Sequence, residues 1–199
     1  MDRYNKIFHT RRSIRLKGYD YAQAGMYFVT VCVQKKVCLF GEIVDNEMIL
    51  NETGIIVCDE WIKSEVIRKN VKLHEFVVMP NHFHGIIEIT GQLHDDVVAL
   101  RATPLHHPLP QQRPYSRTVV KNEYMSSISP KCGELATIVR AFKSATTKRI
   151  NELNRSAGEK LWQQNYYETI INDDESFYRI ADYIVNNPAN WKDDKFNIT

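Results

Sequence analysis

With 199 residues the chain has the length of one domain with a substantial core, and a hydrophobic fraction of 43% with 8 Phe, 10 Tyr and 3 Trp excludes a disordered or fibrous protein. No apolar run approaches the ~18 residues of a membrane helix, and the charged start Met1–Lys6 leads into no signal core, so a soluble, non-exported protein is expected. A net charge of +2 does not by itself mark a nucleic-acid binder.

The charge distribution says more. Residues 1–18 hold six basic side chains (Arg3, Lys6, Arg11, Arg12, Arg15, Lys17) against one acid, Asp2. Such an arm, ending near residue 24, is either a solvated tail or a phosphate-contacting segment. Met26–Val33, rich in β-branched and aromatic residues, predicts a central strand. Asp45-Asn46 predicts a hairpin turn between Ile43-Val44 and Met48–Leu50. Asn51-Glu52-Thr53 starts a helix running to about Asn70, whose face is expected to be Ile55, Ile56, Cys58, Asp59, Ile62, Val66 and Ile67, with Trp61 nearby. The four cysteines, Cys32, Cys38, Cys58 and Cys132, form no Cys-x-x-Cys and read as reduced packing thiols.

Glu75–Thr90 is the most informative stretch. Phe76–Met79 and Phe83–Ile89 read as buried strands reversed by Pro80-Asn81. His82 and His84 open the second strand. Alternation puts both imidazoles on one side and Phe83 on the other, with Cα atoms about 6.8 Å apart, within reach of one metal ion. Glu88 would lie roughly 13 Å from His84, too far to share it.

Residues 91–130 hold five of the seven prolines, a His-His and a Gln-Gln, and almost no periodicity, which predicts a flexible insertion in a single domain spanning 1–199. Its histidines are not read as ligands. Pro130–Leu153 predicts a helix with the stripe Leu135, Ile138, Val139, Phe142, Ala145 and Ile150. Arg140, Lys143, Lys148 and Arg149 lie mainly off it, as a solvated face or a surface tracking a nucleic-acid backbone. Tyr166 and Tyr167 fall in a stretch read as irregular, packed under the sheet. A last helix is capped by Asn172–Ser176 and stopped near Asn187 by Pro188. It buries Phe177, Ile180 and Ile184 and carries a polar stripe of Arg179, Tyr183 and Asn187. The alternation of elements predicts an α+β sandwich, a mostly antiparallel sheet with helices packed on one face.

Met79-Pro80-Asn81-His82-Phe83-His84-Gly85 resembles the His-hydrophobe-His motif of the HUH endonucleases, and more narrowly the single-tyrosine transposases. Leu161-Trp162-Gln163, Tyr166-Tyr167-Glu168, Asp182-Tyr183-Ile184 and Asn186-Asn187-Pro188 are similar to the C-terminal signature of the REP-associated tyrosine transposases. The resemblance covers about residues 10–90 and 130–191, and departs at Thr169, where many relatives have His. It implies a ferredoxin-like fold, Tyr183 as nucleophile, and His82, His84 and Asn187 as ligands of Mg²⁺ or Mn²⁺. It also implies single-stranded DNA with REP-like hairpins as partner; on charge, Arg11, Arg12, Arg15, Lys17, Arg140, Lys143 and Arg179 are the candidates to contact it. The protein would be a monomer or homodimer in the bacterial cytoplasm, associated with the nucleoid. A phenol with pKa near ~10 is a poor nucleophile unless assisted, and a divalent ion with open positions supplies that help. The expected activity is a metal-dependent single-strand endonuclease and strand transferase. A hairpin-binding module and a water-using phosphodiesterase are the alternatives, and a covalent protein–DNA adduct separates them.

Overall fold

In the computed structural model, residues 24–90 and 135–197 are described. The basic arm up to residue 23 and the expected insertion, 91–130, lie outside the described residues. Strand β1 (Gly25–Cys32) leads into a hairpin of β2 (Gly41–Val44) and β3 (Glu47–Leu50). Its turn residues Asp45 and Asn46 adopt φ of 51° and 67°, the left-handed geometry that a two-residue hairpin demands. Helix α1 (Glu52–Ile67) follows, capped by Asn51, whose side chain accepts from the Gly54 amide at 3.0 Å. Strands β4 (Val71–Met79) and β5 (His82–Ile89) reverse at Pro80-Asn81. Helix α2 (Leu135–Asn154), strand β6 (Tyr167–Ile171) and helix α3 (Asp174–Asn186) complete the described elements. Among them, no helix is long and apolar enough to cross a membrane.

The main sheet has the order β4-β5-β1-β6, antiparallel throughout. With the β2–β3 hairpin set aside, this is the ferredoxin-like β-α-β-β-α-β arrangement, the α+β class the sequence predicts. β5 divides its residues between two faces, as strand alternation requires. Phe83 and Ile87 enter the main core with Tyr27, Val29 and Val31 of β1, beneath α1 and α2. Ring centroids there are 4.6 Å apart for Trp61–Phe83 and 5.2 Å for Phe83–Phe142. Gly85 permits this packing: a Cβ would meet Phe83 Cζ at 2.8 Å and Trp61 Cζ2 at 2.9 Å.

Four expectations are corrected. Helices α1 and α2 share one face, but α3 lies across the other, where Ala181 and Ile184 pack with Ile86 and Ile171. That second face carries Met26, Phe28 and Val77 as well, and an apolar sheet face requires a cover. Helix α1 buries Gly54, Val57, Trp61 and Ser64, leaving Ile55, Ile62, Val66 and Ile67 exposed. The Trp61 indole, seated between Phe83 and Phe142, sets the rotation of the helix, and Gly54 lets its first turn approach the Phe40 carbonyl. The stretch around Tyr167 is not irregular but strand β6, paired with β1. Tyr167 is about half exposed there, while Tyr166 packs against the main core. On α2 the buried stripe contains Thr146 rather than Ala145. Thr146 Oγ1 accepts from the Trp162 indole N–H at 2.7 Å, which pins the segment before β6.

Candidate active site

The reversal at Pro80-Asn81 puts His82 and His84 at the start of β5, opposite Cys32 and Thr30 of β1. The two imidazoles share the α3 face, with ring centroids 4.5 Å apart, and are 0% and 1% exposed. Each has its Nδ1 engaged: His82 with Asn81 Oδ1 at 2.8 Å, His84 with Thr30 Oγ1 at 2.7 Å. Both Nε2 atoms are thereby turned away from the sheet hydrogen bonds.

Helix α3 crosses above them. Tyr183 Oη lies 3.3 Å from His84 Nε2, and the ring, 41% exposed, meets Phe28 edge-on at 6.2 Å. Asn187, one turn later, is buried at 1% exposure. After Pro188 a short 3-10 turn (Trp191–Asp193) returns the chain over the histidines. Asp194 Oδ2 accepts from Asn187 Nδ2 at 3.3 Å and Oδ1 from the Phe196 amide at 2.6 Å. Phe196 packs 4.6 Å from the His82 ring. Phe28, Thr30, His84, Tyr183, Asn187, Asp194 and their neighbours line a cleft of about 540 Å³.

Two buried polar atoms at this junction have no hydrogen-bond partner among the described residues: His82 Nε2 and Asn187 Oδ1. Ligand atoms of His82, His84 and Asp194 lie within 4.8 Å of one another. Orphaned lone pairs converging beside a carboxylate are the donor set of a divalent cation site, and the residues present fit one. Burial lowers the His82 pKa to about 4, with Asp194 opposing, and burial also holds His84 well below the ordinary imidazole range. At neutral pH both rings are therefore uncharged, the form that coordinates metal. Burial raises the Tyr183 pKa, Asp194 adding to it and a hydrogen bond from Asn187 opposing, so the phenol is not activated by its protein surroundings alone.

The structure thus brings together His82, His84, Tyr183 and Asn187. Arg179 lies one turn before Tyr183 on the exposed side of α3, and Arg140 is exposed on α2. Lys143 has a structural engagement: its ammonium donates to the Gln163 and Gln164 carbonyls at 2.6 and 3.0 Å. Arg149 bridges to Glu60 and Asp59 of α1 at 2.7 and 3.4 Å. Arg11, Arg12, Arg15 and Lys17 lie outside the described residues. Glu88 pairs with His74 at 2.9 Å, away from the histidine pair. Sequence reasoning missed Asp194 and Thr30, and took Asn81 for a turn residue only. The acidic pair Asp193-Asp194 just beyond the Pro188 helix stop was the available signal for the first.

No family model matches the sequence. An uncharacterized protein of Haemophilus influenzae is 39% identical over 199 residues, with 98% of each chain covered. Among solved structures, the fold is similar to that of a REP-associated tyrosine transposase bound to a REP hairpin. The TM-score is 0.53 at 16% identity, over 89% of this chain and 74% of that one. At that identity the likeness is one of fold.

Proposed function

Since the chain belongs to one family with the uncharacterized Haemophilus influenzae protein and shares its fold with a REP-associated tyrosine transposase, we propose that it cleaves and rejoins single-stranded DNA near hairpins. The carrying observation is the meeting of the Tyr183 hydroxyl with His84 Nε2, beside the orphaned His82 Nε2 and Asn187 Oδ1. His82, His84 and Asn187, with Asp194 in reach, would hold the cation, Mg²⁺ or Mn²⁺ by the chemistry of phosphoryl transfer. When bound, that ion would neutralise phosphate charge, polarise the phosphorus and lower the phenol pKa.

The protein groups do the rest. Tyr183 Oη attacks the phosphorus in line. The bond from phosphorus to the 3′ oxygen breaks and the 5′ side becomes linked to tyrosine. The phenol proton leaves to solvent, which reaches the half-exposed ring, and the freed 3′ oxygen takes up a proton. The phosphotyrosine ester retains the energy of the phosphodiester, so a second 3′-hydroxyl can reverse the step and join strands without a nucleotide cofactor. The Phe28 and His84 rings restrict the phenol to one approach. Exposed Arg140 and Arg179, with Arg11, Arg12, Arg15 and Lys17 of the arm, would contact the DNA backbone; Lys143 would contribute less, its ammonium being held by two carbonyls. Incubation with end-labelled single strands bearing a hairpin, with Mn²⁺, should give an SDS-stable protein–DNA adduct. Cleavage without adduct would favour a water-using phosphodiesterase, and binding without cleavage a recognition module.

A further inference from the structure

Asn81 is completely buried and its amide is bonded on both sides. Nδ2 donates to two carbonyls, Lys36 O at 3.0 Å and Phe196 O at 2.8 Å. Turning the amide over would set its oxygen against both carbonyls, so the orientation has one solution. Oδ1 then faces His82 Nδ1 at 2.8 Å as an acceptor, and only a ring carrying its proton on Nδ1 can answer it. The anchor for this arrangement is itself unusual backbone. Lys35 and Lys36 both adopt left-handed φ, 57° and 54°, in the turn that delivers the Lys36 carbonyl. The second carbonyl comes from the segment after α3, which is held in place by Asp194 and by the Lys36 ammonium on Lys195 O at 3.1 Å.

We propose that Asn81 is a positioning residue: it fixes His82 in the tautomer protonated at Nδ1, so that the buried Nε2, which has no partner among the described residues, carries a free lone pair. His84 has no such lock. Its Nδ1 partner is the Thr30 hydroxyl, which donates or accepts equally well. The tautomer follows from the hydrogen bonds alone, whereas its consequence for cation binding rests on the metal-dependent reading above. An imidazole fixed by an outer hydrogen bond makes the better ligand, and loss of such a partner costs 10–100-fold in metal affinity in general.

The test is imidazole ¹⁵N spectroscopy of the full-length, metal-free protein at neutral pH, with His82 identified by its loss in His82→Gln. The wild type should show a protonated Nδ1 and a pyridine-like Nε2. Asn81→Asp keeps an acceptor toward His82 and should keep this pattern, although it sets a carboxylate against two carbonyls and lowers the melting temperature. Asn81→Leu removes the acceptor and should move the proton to Nε2 in part or wholly, with Mn²⁺ affinity by calorimetry falling about 10–100-fold. A wild-type proton on Nε2, or an unchanged pattern in Asn81→Leu, overturns the proposal. Should the Leu variant not fold, a proton on Nε2 in Asn81→Asp overturns it equally. A wild type with the expected pattern that binds no Mn²⁺ upholds the tautomer assignment and refutes the metal reading.

Discussion

Tyr183→Phe isolates the chemistry from the packing. The substitution removes one oxygen, which makes a long 3.3 Å approach to His84 Nε2 and takes a hydrogen bond from Asn187. The ring keeps its edge contacts with Phe28 at 6.2 Å and His84 at 5.3 Å, and Ala181 and Ile184 still hold α3 on the sheet. A net hydrogen bond contributes about 0.5–1.5 kcal/mol, and one this long at a partly exposed hydroxyl belongs at the low end. For a domain of this size about 1 kcal/mol moves the melting temperature by ~2–4 °C, so the variant should melt within that margin of the wild type. Mn²⁺ and hairpin binding should be unchanged, since no proposed ligand is altered. Adduct formation should vanish, because among the described residues no neighbouring tyrosine is placed to inherit the role: Tyr167 stands on β6 with its ring 6.4 Å from Phe196, and Tyr166 packs against the main core. The assay is an SDS gel of labelled single-stranded DNA, with peptide mapping of any adduct. A wild-type adduct mapped to Tyr166 or Tyr167, or normal cleavage by the Phe variant, would refute the assignment.

His82→Ala and His84→Ala should each abolish cleavage and Mn²⁺ binding by calorimetry; because both rings are buried, each also orphans a partner, Asn81 or Thr30, and costs about 1–3 kcal/mol in a denaturant titration. Cleavage at the wild-type rate by either variant would contradict the metal assignment. Burial pushes the Glu60 carboxyl up, but hydrogen bonds from Lys63 and Arg149 more than reverse this and hold it below the ordinary range. Its stabilisation is thus present above the unfolded value of ~4.3 and lost as pH falls through the folded one; Glu60→Gln should lower the melting temperature at pH 7, by an amount worth about 1 kcal/mol, and this deficit should shrink as melts are taken to acid pH through the lowered folded value. Thr146→Val leaves the buried Trp162 N–H without its acceptor and should cost about 1–3 kcal/mol by chemical denaturation, without altering the histidine site.

Local chemistry made much of this molecule legible from its sequence. Alternation along β5 separates His82 and His84 from Phe83 whatever the rest of the chain does, and Asp45-Asn46 accepts the left-handed φ of its hairpin with little strain. Asn51 and Asp173 mark helix starts because their side chains bond amides three residues on. What was illegible depends on partners distant in sequence. The face of α1 was misjudged because Ile and Val outnumber Trp there, yet one indole between Phe83 and Phe142 outweighs four exposed aliphatics. β6 is five residues long and exists through its pairing with β1. At the site, Tyr183 and Asn187 were legible as a helical stripe, but Asp194 reaches the histidines only because the chain folds back after Pro188.

The unequal division of apolar side chains between the two sheet faces has a dynamic consequence. Helices α1 and α2 are locked to the sheet through a continuous cluster that includes Trp61, Phe83, Phe142 and Trp162. Helix α3 is held, among the described residues, by Ile86, Ile171, Ala181 and Ile184 with partly buried neighbours. Amide hydrogens of α3 should therefore exchange through a partial opening that costs less free energy than global unfolding, while those of α2 and β5 exchange with the whole domain. Such an opening lifts Tyr183 and Asn187 away from His82 and His84 as one unit without disturbing the larger core. The proposed nucleophile thus rides on a helix seated, among the described residues, on the smaller of the two apolar clusters, a cooperative segment that can part from its histidines and return.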